Sequence, residues 1–293
     1  MLNTYFVEGG VGKCTAFTAL IPQLKKKSEV QIYTPYIGCF GGNPDVKMAF
    51  EGTIPLTHPD IMASDNLYYS EPYKSNFQFG KQHLIESYCE HHGVKYKTSM
   101  KPKIYTEQYK EKVAEWLKVN KIGKYILIQL SGGQAQMGFN PNNQYTNINP
   151  NRNYPHFLAQ QVVNMLREEY KDTTIINCVL PNEPHYQGTI RCDLHWTQIH
   201  EMLKGAEGFI SIDSCLQHFS ASAEKHGVVL WGSTRWTQFG YSHNKNLQFH
   251  MKDNWDETKY VESDPRNVMV EPKLIIDSFK KLDKDKPVAC ATK

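Results

Sequence analysis

Paired cysteines, membrane-length apolar runs and a dominant charge are all missing from this chain. Its seven cysteines contain no Cys-x-x-Cys pair. An odd, unpatterned set suits a reduced cytoplasmic chain better than a disulfide scaffold. No apolar run approaches the ~20 residues that cross a bilayer. That argues against a transmembrane segment and leaves membrane-surface contact open. The opening Met-Leu-Asn-Thr-Tyr-Phe-Val lacks the basic-then-apolar pattern of a signal peptide, so a cytoplasmic location is expected. No internal repeat and no low-complexity tail occur. A net charge of +3 neither requires nor excludes a polyanionic partner. What the chain does have is 293 residues, 40% of them hydrophobic and 12% aromatic. That is enough for two ordinary domains or one large one, each with a packed core.

The most informative stretch is 207–240. Residues 209–212 form a short apolar run of strand type. Asp213-Ser214 supplies a helix-capping pair. Leu216, Phe219 and Ala223 follow at helical spacing, and Gly227 is expected to stop the helix. Residues 228–231 make a second strand, closed by the small-residue loop Gly232-Ser233-Thr234. Strand, helix and strand make a βαβ unit, whose ligand crevice lies beyond the carboxyl ends of the strands. A helix start there offers free N–H groups and the positive end of a dipole to a phosphate. His218 lies just over one turn in, where it adds a donor.

The chain also begins βαβ. A strand at 4–7 runs into the glycine loop Gly9-Gly10-Val11-Gly12-Lys13. A helix over 15–27 buries Phe17, Leu20 and Leu24, and a strand follows at 30–33. A P-loop reading of this turn departs from its pattern. Val7 stands at the first glycine position and Cys14 at the final Ser/Thr. A ParA-like version departs too, with Glu8 at its leading lysine and a thiol, a poor ligand for magnesium, at Cys14. Residues 58–78 are rich in Pro, Tyr, Asp and Ser without periodicity, so a long irregular segment is expected. Its acids Asp60 and Asp65, with His58, are candidate bases. Helices are read over 82–92 and 107–119. Cys89, His91 and His92 do not form a metal site, because adjacent helical residues point about 100° apart.

A domain boundary falls near Asn120 and Gly123. A strand at 125–129 ends in Ser131-Gly132-Gly133, whose glycines let amides approach an anion closely. Arg152 precedes a helix over 156–170 and can clamp two phosphate oxygens. A strand at 174–180 ends near Asn182 and Glu183, where a carboxylate suits a ribose hydroxyl pair. Helices are read over 194–203 and 271–281.

The run Ile210-x-Ile-Asp213-Ser214-x-x-x-His218-x-x-Ala221, continuing to Val228-x-Leu230-x-Gly232, resembles the donor-site segment of the heptosyltransferase family. That family shows Asp-Ser/Thr-Gly-Leu-x-His, and here Cys215 replaces the glycine and Gln217 precedes His218. Gly9 to Lys13 resembles the family's Gly-Gly-x-Gly-Asp turn, with Lys13 in place of the acid that serves there as base. Asn43-Pro44 and Phe239-Gly240-Tyr241 resemble two further family turns. Arg152-Asn153-Tyr154-Pro155 resembles its Lys-x-Trp-Pro. The likeness is strong over 207–240, fair over 4–34 and 125–155, and thin over 55–100.

The resemblance implies an α/β protein of the GT-B class, two Rossmann-like doubly wound domains facing across a cleft. Residues 1–120 would form the acceptor side, joined by a closing helix at 271–284. Residues 121–270 would hold a nucleotide-diphosphate sugar. The implied activity is an inverting, metal-independent glycosyltransferase without a cofactor. Gly10, Gly12, Ser131, Gly132, Gly133, Arg152, Asn182, Glu183, Asp213, Ser214, Gln217, His218, Gly232 and Thr234 would bind the donor. Lys13, Glu8 and Asp60 are the candidates at the reacting hydroxyl. A lysine donates hydrogen bonds and is a base only when its charge is suppressed. The acceptor is a bacterial glycan or lipopolysaccharide, or a hydroxymethylated base of phage DNA served by Lys95, Lys97, Lys101 and Lys103. Other readings are a ParA-like ATPase at Gly9–Lys13 and a non-catalytic sugar-nucleotide-binding module.

Overall fold

The computed structural model describes residues 1–52, 54, 57–132, 153–179, 183, 185–232, 234–248 and 269–291. The first lobe holds β1 (Leu2–Phe6), β2 (Glu29–Thr34), β3 (Val46–Glu51) and β4 (Asn66–Tyr69), in the order β3-β2-β1-β4. The second holds β5 (Lys124–Gln129), β6 (Thr173–Asn177), β7 (Ile190–Arg191), β8 (Gly208–Ile212), β9 (Gly227–Trp231) and β10 (Lys245–Gln248), in the order β10-β9-β8-β5-β6-β7. Every pairing between these strands is parallel. This is the two-lobed α/β architecture expected from the sequence.

Parallel strands are covered on both faces, so they read as continuous apolar runs. β8 and β9 are buried at every residue, and β5 at all but its first. β1 is different. Its Asn3 and Thr4 are buried polar residues, satisfied by Asn3 Nδ2 donating to Ser28 Oγ at 2.9 Å and Thr4 Oγ1 to Gln31 Oε1 at 2.9 Å. These bonds offset the cost of burying polar groups.

The principal helices are α1 (Val11–Phe17), α2 (Leu84–His91), α3 (Lys110–Val119), α4 (His156–Glu169), α5 (Trp196–Gly205), α6 (Cys215–Ala223) and α7 (Pro272–Lys280). Two of them differ from the sequence reading. The helix expected over 15–27 starts earlier, at Val11, and breaks into a 3-10 turn at Thr18–Leu20 before a last turn at Ile21–Leu24. Proline at position 22 favours the start of that turn. α6 ends not at Gly227 but at Glu224, which takes the left-handed conformation at φ 53°. Gly227 instead opens β9, where a Cβ would lie 2.3 Å from the Phe209 ring and 2.5 Å from its carbonyl oxygen.

The segment expected to be irregular over 58–78 holds β4, paired in parallel with β1, between a helical turn at Pro59–Met62 and another at Ser75–Gln78. α7 packs Ile275, Ile276 and Phe279 into the second-lobe core with α4. It is the tail beyond α7 that reaches the first lobe. Cys290 joins the first-lobe core, and its N–H donates to Thr98 O at 2.8 Å.

The seam between the lobes buries polar groups. His83 Nε2 meets Gly240 O at 2.9 Å, and His200 Nδ1 meets Thr106 Oγ1 at 2.9 Å. Burial holds His83, His200 and His243 neutral, pushing each from the ordinary 6.5 down to about 3. The unfolded chain takes up these protons near 6.5 and the folded chain refuses them. Stability is therefore full above 6.5 and falls with pH toward about 3. Each ring should cost about 2 kcal/mol at about pH 5, so the three together approach the stability of an ordinary domain. Urea unfolding at about pH 7.5 and about pH 5 checks this; equal midpoints would contradict it.

Candidate functional site

In each sheet the strand order reverses beside its first strand. β1 lies between β2 and β4, and β5 lies between β6 and β8. The loops leaving the carboxyl ends there diverge and leave a crevice. The two crevices open on one cavity of about 590 Å³, within the range that holds a nucleotide-sized ligand. Gly9 to Lys13, Tyr36 and Tyr73 line it from the first lobe. Gln129, Cys178, Glu183, Trp196, Asp213, Ser214, Cys215 and His218 line it from the second.

The second-lobe wall is the turn from β8 into α6. Ser214 is the helix cap in extended backbone, and its side chain makes no capping bond. Asp213 is buried at the wall. Cys215 Sγ lies 3.9 Å from the side-chain oxygen of Gln129. Burial raises the Cys215 thiol above its ordinary value, so it serves as a small neutral wall element. One turn in, His218 Nδ1 meets Tyr241 Oη at 3.0 Å.

The first-lobe wall is the turn from β1 into α1. A Cβ at Gly10 would meet nothing within 4 Å, whereas one at Gly12 would lie 2.6 Å from His218 Cδ2. Gly12 is therefore where α1 of one lobe touches α6 of the other. Lys13 Nζ lies 3.2 and 3.4 Å from the two carboxylate oxygens of Glu71, and 4.3 Å from the centre of the Tyr73 ring. Cys14 Sγ turns inward, within reach of Val7 O and Thr34 Oγ1, and burial raises its thiol to about 12. Where a P-loop needs a hydroxyl on magnesium, this chain has a protonated thiol in the core.

Of the residues singled out in the sequence, Gly10, Gly12, Lys13, Glu183, Asp213, Ser214 and His218 line the one cavity. Gly132 stands beside them; a Cβ there would lie 3.6 Å from Ser214 Oγ, and its N–H donates to Asn153 Oδ1 at 2.8 Å. Ser131 is buried next to it. Others stand apart. Glu8 is exposed and accepts from Tyr69 Oη at 2.9 Å. Asp60 is exposed in the turn before β4, at the amino-terminal edge of the parallel sheet, opposite the cavity. Gln217 is buried and donates to Phe239 O. Gly232 and Thr234 offer their carbonyls to Gln248 Nε2. Gly133, Arg152 and Asn182 lie outside the described residues. Glu71, Tyr73 and Trp196 were not singled out. No periodicity marks Glu71 or Tyr73, and Trp196 reads simply as the first turn of a helix.

No protein-family model matches the chain, and no curated protein matches it. Solved structures do, over nearly its whole length. A glycosyl transferase family 9 protein from Veillonella parvula superposes with a TM-score of 0.72 at 11% identity, covering 96% of each chain. The ADP-heptose lipopolysaccharide heptosyltransferase II of Escherichia coli gives 0.67 at 12%, covering 96% of this chain and 98% of that one. Heptosyltransferase WaaC of E. coli, solved with ADP, gives 0.57 at 9%, covering 94% and 98%. The chain has the GT-B fold of the heptosyltransferases. At these identities the heptosyltransferase fold is what is shared, so the role of each side chain rests on the geometry above.

That geometry separates two neighbouring glycines. Gly10→Ala should leave stability within about 0.5 kcal/mol, because its Cβ meets open space. Gly12→Ala should cost about 1–3 kcal/mol, because the His218 ring that it strikes is held by Tyr241. Chemical denaturation of both variants checks the contrast; equal effects would contradict the packing of α1 on α6.

Proposed function

We propose that the chain is an inverting glycosyltransferase that moves a sugar from a nucleotide-diphosphate donor to an acceptor hydroxyl. One observation carries this reading. The carboxyl edges of two parallel sheets face each other across a shared cavity, with the start of α6 on one wall and the glycine turn on the other. The second lobe would hold the donor. The first-turn amides of α6 and the Ser214 hydroxyl suit the diphosphate, and Glu183 suits the ribose hydroxyls. As the sugar leaves, charge grows on the diphosphate, and fixed donors of this kind are often the largest catalytic contribution. Gly133 and Arg152, outside the described residues, keep a diphosphate role by their sequence motifs alone. Solved relatives carry ADP, in WaaC, and ADP-D-β-D-heptose, in the E. coli transferase TibC. ADP-sugars are therefore the first donors to test.

The acceptor would enter along the first lobe, and a glycan fits that side best. Tyr73 lines the cavity and is 41% exposed, and Tyr69 is 55% exposed. Their apolar ring faces suit the C–H faces of sugars. The DNA reading has less to stand on, since Lys101 of its proposed basic strip pairs with Glu224.

Thermal-shift measurements against ADP-, UDP- and GDP-sugars test the donor. A donor at about 100 times its Kd should stabilise the chain by about 2.7 kcal/mol. Ser214→Ala should lower turnover by on the order of 10²-fold. EDTA should leave transfer unchanged. A shift with ATP and magnesium but with no nucleotide sugar would overturn the reading in favour of an ATPase.

A further inference from the structure

We propose that Glu71, held in place by Lys13, takes the proton from the acceptor hydroxyl. The inference rests on the transferase reading. Inversion brings the hydroxyl to the anomeric carbon from the side opposite the departing diphosphate. If the diphosphate faces α6, the hydroxyl and its base belong to the first lobe. Among the described residues, the acids that line the cavity, Asp213 and Glu183, are both on the second lobe. From the first lobe the cavity receives a cation, Lys13, and an ammonium has no lone pair with which to accept a proton.

Glu71, in the loop after β4, pairs with that cation. Its two oxygens lie 3.4 and 3.2 Å from Lys13 Nζ, and Oε1 also accepts the Tyr73 N–H at 2.8 Å. These contacts fix the carboxylate from two directions. They use three of the roughly four hydrogen bonds that a carboxylate accepts, which leaves room on Oε2 for an incoming hydroxyl. The Glu71 side chain is 36% exposed and so reachable, whereas Lys13 is 11% exposed and packed on the Tyr73 ring. Both residues that hold the carboxylate, Lys13 and Tyr73, are themselves cavity wall. Glu8, like Glu71, is not itself part of that wall, but the residue that engages it, Tyr69, is not part of the wall either. Lys13 is then a positioning residue.

In the step, the acceptor oxygen bonds to the anomeric carbon. The bond from that carbon to the diphosphate oxygen breaks, and its electron pair leaves with the nucleoside diphosphate. The hydroxyl proton passes to the Glu71 carboxylate. No oxidant or metal enters the balance.

Glu71→Gln keeps the shape and removes the base. Its kcat should fall by about 10³-fold, within the range for loss of a general base. KM for the donor and the donor-induced thermal shift should stay within about twofold. Lys13→Met should lower kcat by a smaller factor, about tenfold, and Lys13→Arg should recover most of it, as expected of a residue that acts by holding another. If Glu71→Gln is poorly folded, the double variant Lys13→Met/Glu71→Gln removes the ammonium left without its carboxylate and must still be inactive. Near-wild-type kcat in either the single Glu71→Gln variant or the double variant would overturn the proposal and leave the transferase reading standing. So would a loss of melting temperature with kcat per folded molecule unchanged. Wild-type protein that binds and transfers no nucleotide sugar would instead overturn the transferase reading itself.

Discussion

The two lobes touch through positions that have no side chain. Gly12 of α1 lies against the His218 ring of α6, where a Cβ would sit 2.6 Å from carbon. Gly38, in the loop after β2, lies against the first turn of α5, where a Cβ would sit 2.7 Å from Thr197 Cγ2 and 2.9 Å from the Trp196 ring. Gly80 lies against the Arg235 guanidinium. Glycine allows backbone to approach that closely. These contacts bring the carboxyl edge of one sheet within reach of the other. The cavity exists because the edges face each other at short range, so its size depends on the contacts that surround it.

Such closeness makes the seam polar, because loop and helix ends carry backbone groups that must be satisfied. The chain crossing from the first lobe to the second is strapped down in this way. Lys103 N donates to Thr18 Oγ1, Ile104 N donates to Ser222 Oγ, and Ser222 Oγ in turn meets His200 Nε2 at 3.0 Å. His200 is thus bonded on both ring nitrogens, by Thr106 and by Ser222. Its neutral state is part of the packing, since a proton forced onto it would charge a fully buried ring. The returning tail adds a second strap, with Cys290 bonded to Thr98 and Ala291 to Gly240.

What could be seen in the sequence follows from how local each signal is. β5, β8 and β9 stand out because strands covered on both faces are unbroken apolar runs. The turn into α6 stands out because Asp213-Ser214 is a cap signal next to such a run. β4 does not, because it is an edge strand with Leu67, Tyr68 and Tyr69 all exposed, so neither face imposes alternation. Asn3 hid the start of β1, because its polar character is answered by Ser28, just before β2. Gly12 was legible as a glycine that matters. The reason for it, a helix of the other lobe lying across it, needed the fold. Glu71 was not legible at all. Its meaning comes from Lys13, 58 residues away in the chain.

Lys13 shows how such a residue is to be understood. It occupies the first turn of α1, where the helix dipole disfavours a cation by about 0.3–1 kcal/mol and no acid of the same turn compensates. A lysine free to choose would extend into water. This one is nearly buried, lies over an aromatic ring and meets both oxygens of one carboxylate. A largely exposed ion pair contributes little, about 0–1 kcal/mol, and one this poorly solvated must also offset the desolvation of its cation. Stability alone is thus a weak reason for the pair. Its clearest physical consequence is positional. A carboxylate from the loop after β4 is fixed against two residues of the cavity wall, Lys13 and Tyr73, on the lobe that, among the described residues, contributes no acid to that wall.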